Sequence, residues 1–230
     1  MASNPVSDQR FAESKHRYTD PRSRERLISV TTVVGCFDSG DKLGAGAGAA
    51  VKLTKAGLDY RKEWNGKRDL GTRVHKYAEL WINNKTADVL ESDMPYMDAF
   101  ADWCREKKPE WIVVERAVVS SLGYGGKFDV VVFFDDAYWL LDFKSGKPYK
   151  MELTLQLAGY RFADGMIRYD ADGKSVGLDP LPHIDRCAGL YLGGDGKATL
   201  VECQVDEAAF QSFKNLLAVK QWSKTVEKDS

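Results

Sequence analysis

The stretch Gly125–Lys144, GGKFDVVVFFDDAYWLLDFK, decides the fold of this chain of 230 residues. Two runs rich in β-branched and aromatic residues, 127–134 and 138–144, flank a short acidic connection. Such runs, separated by a turn, are typical of an antiparallel β-hairpin. Each run carries an acid in its apolar part, Asp129 in the first and Asp142 in the second. The hairpin is therefore expected to hold two carboxylates among apolar neighbours.

The length of the connection sets how the two acids face each other. If residues 135–136 form a two-residue turn, Asp129 lies directly opposite Asp142. A four-residue turn keeps that register, whereas a three-residue turn shifts it by one position. Directly opposed residues place their Cβ atoms about 4.5–5.5 Å apart.

The two carboxylates and the lysine that follows them suggest a metal site. Lys144 lies on the same face as Asp142, because side chains alternate along a strand. Facing carboxylates repel each other, and their burial costs free energy that a divalent cation would offset. Oxygen ligands suit Mg²⁺ or Mn²⁺, and Lys144 would hold an attacking water or stabilise charge on a phosphate. The alternative is a surface hairpin with solvated Asp129, Asp142 and Lys144.

Hydrophobic periodicity predicts the elements in the rest of the chain. Helical spacing of apolar residues predicts helices over residues 71–83, 93–107, 152–168 and from 206 onward. Further strands are predicted over residues 111–120, 186–192 and 197–205. This order predicts an α/β fold, in which a central mixed β-sheet is flanked by helices.

Local signals specify some features of these elements. Asp93 is expected to be the N-cap of the second helix. Residues 27–34 fit either a short strand or the entrance of a helix, and residues 170–185 fit an inserted loop. The last helix is expected to direct four large side chains inward: Phe210, Phe213, Leu217 and Trp222.

Composition limits the class of protein. Residues 1–26 are polar and charged without periodicity, which predicts a flexible N-terminal arm before a single domain, 27–230. No apolar run approaches the roughly 18 residues of a membrane span, and no secretory signal is seen, so we expect a cytoplasmic protein without membrane contacts. A net charge of −1 excludes a strongly basic coat protein but not an enzyme with a locally basic groove.

The four cysteines are widely spaced and include no Cys-x-x-Cys pair. This spacing makes a ribbon-type zinc site improbable. We expect Cys36, Cys104, Cys187 and Cys203 to be reduced thiols.

Asp129, followed on the next strand by Asp142-Phe143-Lys144, resembles the core motif of the PD-(D/E)XK nucleases. The chain looks like their RecB-type exonuclease branch, which includes many phage enzymes and a mitochondrial genome-maintenance exonuclease. Three further segments resemble motifs of this branch: Ser29–Thr32 (SVTT), Gly71–His75 (GTRVH, for Gly-x-x-x-His) and Gln156–Tyr160 (QLAGY, for Gln-x-x-x-Tyr). The resemblance implies a restriction-endonuclease-like core.

The resemblance also implies roles for individual residues. It makes Asp129, Asp142 and Lys144 catalytic. It implies that Mg²⁺ or Mn²⁺ is held by His75, Asp129, Asp142 and the backbone carbonyl of Phe143; an imidazole ligand favours Mn²⁺. Gln156 and Tyr160 would contact DNA. Three lysines flank the site and are either phosphate contacts or solvated surface lysines: Lys127, Lys147 and Lys150.

Two glutamates are weaker candidates. Glu115 lies in the apolar strand 112–119, where a buried carboxylate needs a second metal or an ion pair. Glu79 lies one helical turn beyond His75, on the same side of the helix.

A subset of the branch carries an iron–sulfur cluster on one upstream cysteine and three clustered near the C-terminus. The cysteine spacing of this chain does not fit that pattern, so no cluster is expected.

These inferences converge on a metal-dependent DNA exonuclease that hydrolyses phosphodiester bonds at DNA ends or in single strands. By analogy it would serve phage-type DNA replication, recombination or repair in the host cytoplasm, beside a phage recombination or replication protein. Two alternatives remain: an inactive nucleic-acid-binding module on the same fold, and a site-specific endonuclease.

Overall fold

The computed structural model describes residues 18–37, 54–56, 59–147 and 149–226. Within these ranges the chain forms a large mixed sheet of nine strands flanked by five α-helices, which confirms the predicted α/β class. The elements, in chain order, are β1 (Tyr18–Thr19), β2 (Arg26–Ser29), α1 (Val30–Val34), α2 (Tyr60–Ile82), α3 (Met94–Lys107), β3 (Glu110–Ser120), β4 (Tyr124–Phe134), β5 (Ala137–Lys144), α4 (Lys150–Arg161), β6 (Gly165–Tyr169), β7 (Ser175–Asp179), β8 (Arg186–Leu192), β9 (Ala198–Cys203) and α5 (Glu207–Val226).

The sheet is built around β4. Its main path runs β7-β6-β3-β4-β5-β8-β9, and β2 joins β4 from the side while pairing with β1. The pairs β5–β8 and β2–β4 are parallel, and the other pairs are antiparallel. Because β3 follows one edge of β4 along almost its whole length, β2 and β5 must share the other edge.

The β4–β5 hairpin has the register predicted for a two-residue turn. Asp135 and Asp136 both adopt positive φ angles, 47° and 56°, as a tight hairpin turn requires. The ladder runs from Phe134–Ala137 to Val130–Leu141 and ends there. Beyond it, β5 continues along β8, while β4 meets β2 only at Tyr124–Gly125. We call the opening between residues 126–129 of β4 and residues 142–144 of β5 the fork.

Helices cover both faces of the sheet. One face buries side chains such as Leu140 and Val131 against α1, α4 and α5. The opposite face buries Leu141 and Phe143 against α2 and α3. The side chains of Phe143 and of its neighbours in β5 thus point to different faces, as predicted from strand alternation. Among the described residues, no helix combines the length and the apolar character needed to cross a membrane.

Several predicted boundaries were wrong, and two of them have a tertiary cause. Helix α2 begins at Tyr60 rather than near residue 71. Helix α4 ends at Arg161, because Gly165 and Met166 leave it to pair with β3. Within the predicted loop 170–185, residues 175–179 form β7 on the edge of β6.

The N-terminal segment also differs from the prediction where the structure describes it. Residues 1–17 of the predicted arm lie outside the described residues. Residues 18–26, expected to be flexible, form a β-hairpin in which Tyr18 pairs with Leu27 and is buried. Residues 27–34 contain both of the predicted alternatives, since strand β2 leads directly into helix α1.

Two local predictions were confirmed only in part. Asp93 occupies the N-cap position of α3, but its carboxylate makes no capping hydrogen bond. It instead accepts hydrogen bonds from Arg73, at 2.6 Å from Nε and 3.0 Å from Nη2. In α5, Phe210, Phe213 and Leu217 are buried as expected, whereas Trp222 is 66% exposed. Helical spacing alone does not show where a long C-terminal helix leaves the body of the protein.

Gly126 of β4 permits a close contact next to the fork. A Cβ atom at this position would lie 2.6 Å from Cε1 of Tyr160 and 3.0 Å from Cγ2 of Val30. Both neighbours are buried, so neither can move away freely. The absent side chain lets the Tyr160 ring lie directly against the strand.

Replacing Gly126 by Ala should therefore destabilise the protein. We expect a loss of about 1–3 kcal/mol in the free energy of unfolding, measured by guanidinium denaturation, because the added methyl group overpacks the core. The control is Gly66→Ala in α2, where a Cβ atom meets nothing within 4 Å. That change should be neutral or stabilising, since Ala favours a helix more than Gly. Equal stability of the Gly126→Ala variant and wild type would contradict the packing described here.

Candidate functional site

Asp129 joins the two sides of the fork. Its Oδ2 accepts a hydrogen bond of 2.7 Å from the backbone N–H of Phe143. This bond lies just past the last ladder pair, so the carboxylate replaces a strand partner for β5. Asp129 is buried, and the hydrogen bond fixes one face of its carboxylate.

His75 approaches Asp129 from α2. Val74, Tyr77 and Ala78 seat the helix on the sheet, and His75 lies beside that apolar stripe. Its Nδ1 is 3.3 Å from Oδ1 and 3.2 Å from Oδ2 of Asp129. Burial lowers the pKa of His75, but the charge and the hydrogen bond of Asp129 outweigh it and raise the pKa to about 9. The same pairing outweighs burial for Asp129 and lowers the pKa of its carboxyl.

Asp142 and Lys144 form the second ion pair of the fork. Both lie on β5, two residues apart, and the ammonium of Lys144 contacts Oδ2 of Asp142. Asp142 is only 2% exposed. Burial and the nearby charge of Asp129 raise the pKa of Asp142, and Lys144 opposes this shift. The charge of Asp142 outweighs burial at Lys144 and raises the pKa of the ammonium.

Gln156 and Tyr160 reach this pair from α4. The Nε2 group of Gln156 donates to Oδ1 of Asp142 at 2.7 Å and to the Tyr160 hydroxyl at 3.1 Å. Its Oε1 lies 3.4 Å from Nζ of Lys144. Tyr160, expected to contact DNA, is only 3% exposed. Both side chains therefore face the interior of the site in this structure.

The side chains at the fork include oxygen and nitrogen donors of the types that bind Mg²⁺ or Mn²⁺. Two buried carboxylates and one imidazole meet there, and Oδ2 of Asp142 makes no hydrogen bond of good geometry despite its ion pair. Across the described ranges, no three His, Cys, Asp or Glu side chains are arranged as a preformed metal site. In this arrangement His75 and Lys144 balance the charges of the two carboxylates.

Glu115 lies beside the fork in a strained conformation. It has φ 52° in the middle of β3, in the left-handed region that non-glycine residues rarely adopt. Its carboxylate is largely buried and pairs with Lys127 of β4. Of the two predicted alternatives for Glu115, the ion pair is present. Burial and the charge of Asp129 raise the pKa of Glu115 to about 7, against the opposing effect of Lys127.

Glu79 is paired with a lysine of its own helix. It accepts a hydrogen bond of 2.9 Å from Lys76 on the same helix, and it adds to the negative charge acting on Glu115. Within the described ranges, Glu79 therefore borders the site without a hydrogen bond or ion pair to Asp129 or Asp142.

The segment after the fork is exposed. Lys147 and Lys150, the predicted phosphate contacts, are both exposed, and Tyr149 between them is 45% exposed. The prediction from sequence overlooked Tyr149. The basic and aromatic residues of 147–150, KPYK, were the signal that could have identified it, because such interleaving is typical of single-strand binding.

Tyr191 is a second neighbour that was overlooked. It pairs with Lys144 in the parallel β5–β8 register, and its electrostatic interaction with Lys144 contributes to raising the pKa of that lysine. No local signal indicates this contact, because the two strands are joined by a long crossover through α4, β6 and β7.

Comparison with known proteins leaves the chemistry open. No protein-family model matches the chain, and a comparison with curated proteins gives no match. Among solved structures, one titled "Crystal structure of SSO0001" matches at 12% sequence identity and a TM-score of 0.35, over 84% of this chain and 75% of that one. A likeness of this size says nothing about function, which has to be inferred from the residues of the fork.

The ionisation of Glu115 should make stability depend on pH. Its pKa is about 7 in the folded protein and lies near the ordinary 4.5 in the unfolded chain. The folded state thus holds this proton more tightly, and the group costs stability as pH rises from about 4.5 to about 7. We expect Glu115→Gln to gain stability relative to wild type across that interval, by up to about 3 kcal/mol in guanidinium unfolding.

Glu110→Gln, at the exposed start of β3, is the matched control for this measurement. A difference between Glu115→Gln and wild type that stays constant from pH 5 to pH 8 would contradict the assignment.

Proposed function

We propose that the chain is a metal-dependent deoxyribonuclease that hydrolyses phosphodiester bonds at DNA ends or in single strands. The observation that carries the proposal is the convergence of Asp129, Asp142 and Lys144 at the fork, with His75 delivered to the same point from α2. Two neighbouring buried carboxylates favour a bound cation, and a lysine beside them suits chemistry on an anionic substrate. The same residues support membership of the PD-(D/E)XK nucleases, in their RecB-type branch.

The residues that would hold Mg²⁺ or Mn²⁺ are His75, Asp129, Asp142 and the backbone carbonyl of Phe143. When bound, the ion would polarise the scissile phosphate and lower the pKa of an attacking water. The N–H of Phe143 keeps Asp129 oriented, so the carboxylate does not have to reorganise when substrate arrives.

Lys144 is suited to act on the substrate because it is partly exposed. Its side chain is 31% exposed, whereas that of Asp142 beneath it is 4% exposed. The ammonium can therefore turn from Asp142 toward a phosphate while it stays at the mouth of the site. There it would orient the attacking water and balance the negative charge that develops on the phosphate.

The exposed segment after β5 supports a nucleic-acid substrate. Lys147 and Lys150 are exposed where phosphates would contact them, and the Tyr149 side chain is exposed where a base would stack on it. Stacking of a base on an aromatic side chain contributes about 1–3 kcal/mol and needs an unpaired base. This favours a single strand or a frayed end over a continuous duplex.

The biological setting rests on the family resemblance alone. It places the enzyme in phage-type DNA replication, recombination or repair in the host cytoplasm, with a recombination or replication protein as partner. These assignments are proposals by analogy.

One observation favours a second function, a nucleic-acid-binding module without catalysis. His75 and Lys144 already balance the charges of Asp129 and Asp142, so the fork is electrostatically satisfied without a metal. A protein that had lost catalysis could keep this arrangement as a structural network.

Single-stranded DNA labelled separately at each end tests the proposal. Wild-type protein should shorten it with Mg²⁺ or Mn²⁺ but not with EDTA. Lys144→Ala should lower the rate by about 100-fold or more, because it removes charge stabilisation at the reacting phosphate. The control Lys174→Ala removes an exposed lysine in the β6–β7 turn and should leave the rate unchanged.

The remaining outcomes separate the alternatives. DNA that stays intact with both metals, single-stranded and duplex alike, would reject the nuclease and favour the binding module. Cutting of closed circular DNA would replace the exonuclease with an endonuclease.

A further inference from the structure

The side chain of Gln156 contacts both Asp142 and Lys144 of β5. We propose that Gln156 and Tyr160 are positioning residues that orient Asp142 and Lys144, rather than residues that contact DNA. The inference rests on the proposed function insofar as the oriented carboxylate is a metal ligand.

The two ends of the Gln156 amide match the charges they meet. The amino end donates to Oδ1 of Asp142 at 2.7 Å, and the carbonyl end faces Nζ of Lys144 at 3.4 Å. The reverse orientation would place the amide oxygen against a carboxylate and the amino group against an ammonium. Electrostatics therefore selects one orientation of Gln156, and that orientation holds both partners at once.

This arrangement assigns different roles to the two oxygens of Asp142. Oδ1 is committed to Gln156, whereas Oδ2 makes no hydrogen bond of good geometry and faces Lys144. If Lys144 turns toward substrate, Oδ2 is the oxygen left for a cation. By binding Oδ1, Gln156 would thus leave Oδ2 as the oxygen of Asp142 that holds a cation.

Tyr160 holds Gln156 in turn. Its hydroxyl lies 3.1 Å from Nε2, one helical turn further along α4, and its ring lies against the backbone of Gly126. Because Tyr160 is 3% exposed and lies against Val30 and the strand, its ring does not reach the surface where a nucleic-acid strand would bind. The series Gly126, Tyr160, Gln156 and Asp142 connects the core to the site by direct contacts.

The test compares metal binding with DNA binding in variants that keep their packing. Tyr160→Phe removes only the hydroxyl, and Gln156→Leu removes the amide with little change of volume. Mn²⁺ affinity of the full chain is measured from the electron paramagnetic resonance signal of free Mn²⁺. DNA affinity is measured in EDTA by the fluorescence anisotropy of a labelled single strand.

We expect both variants to bind Mn²⁺ about 10-fold or more weakly, because partners of metal ligands typically contribute 10- to 100-fold to affinity. Their DNA affinity in EDTA should stay within twofold of wild type. Gln211→Leu, an exposed glutamine on α5, is the matched control and should change neither value. Weaker DNA binding with unchanged Mn²⁺ affinity would overturn the proposal and restore the role in DNA contact.

A metal-free measurement separates failure of this inference from failure of the proposed function. The side-chain amide signals of Gln156 are assigned in ¹⁵N-labelled protein by their loss in Gln156→Leu. They should shift in Tyr160→Phe and in Asp142→Asn, because both variants change a partner of Nε2. If wild type binds no Mn²⁺ but the signals shift, the nuclease is rejected and the positioning role stands. Signals that are unchanged in both variants overturn the positioning role.

Discussion

The hydrogen bond from the Phe143 N–H to the Asp129 carboxylate is the interaction on which the site depends. It forms where the β4–β5 ladder stops, so it satisfies a backbone donor that has lost its strand partner. Without it the two strands could part further or continue pairing, and either change would move Asp129 relative to Asp142. A hydrogen bond that satisfies the backbone of the sheet thus also fixes the separation of Asp129 and Asp142. Fold and site share one constraint here.

Charge balance is the second organising feature of the fork. Asp129 and Asp142 are both buried, and their pKa values move in opposite directions. Asp129 is paired with His75 and accepts a backbone N–H, and these interactions outweigh burial and lower the pKa of its carboxyl. Burial and the charge of Asp129 raise the pKa of Asp142, whose carboxylate is stabilised by Lys144 and Gln156. Two chemically equal side chains therefore acquire different properties from their surroundings.

Sequence reasoning succeeded where the determining interactions are local. The Asp135–Asp136 turn, the register through Val130–Leu141 and the separation of Phe143 from its neighbours all follow from a short hairpin with alternating faces. Local patterns also gave the β8–β9 hairpin and the buried side of α5 near Phe210.

Predictions from sequence failed where contacts between distant parts of the chain determine the structure. The helix that was predicted to reach residue 168 ends early because β3 takes Gly165 and Met166 as partners. The packing of Tyr160 on Gly126 joins α4 to β4, two elements whose proximity no local pattern shows. The meeting of His75 with Asp129 was expected only through the family resemblance, because 54 residues separate them.

Val30 touches both glycines that bring α4 close to the sheet. A Cβ atom at Gly126 would meet its Cγ2 at 3.0 Å, and one at Gly159 would meet its Cγ1 at 3.1 Å. A single valine side chain on α1 thus acts as a spacer between the helix that carries Gln156 and the strand that carries Asp129. A substitution of Val30 would therefore change the spacing between α4 and β4, and with it the position of Gln156. A buried apolar side chain thus bears on the geometry of a polar cluster that it does not touch through any polar group.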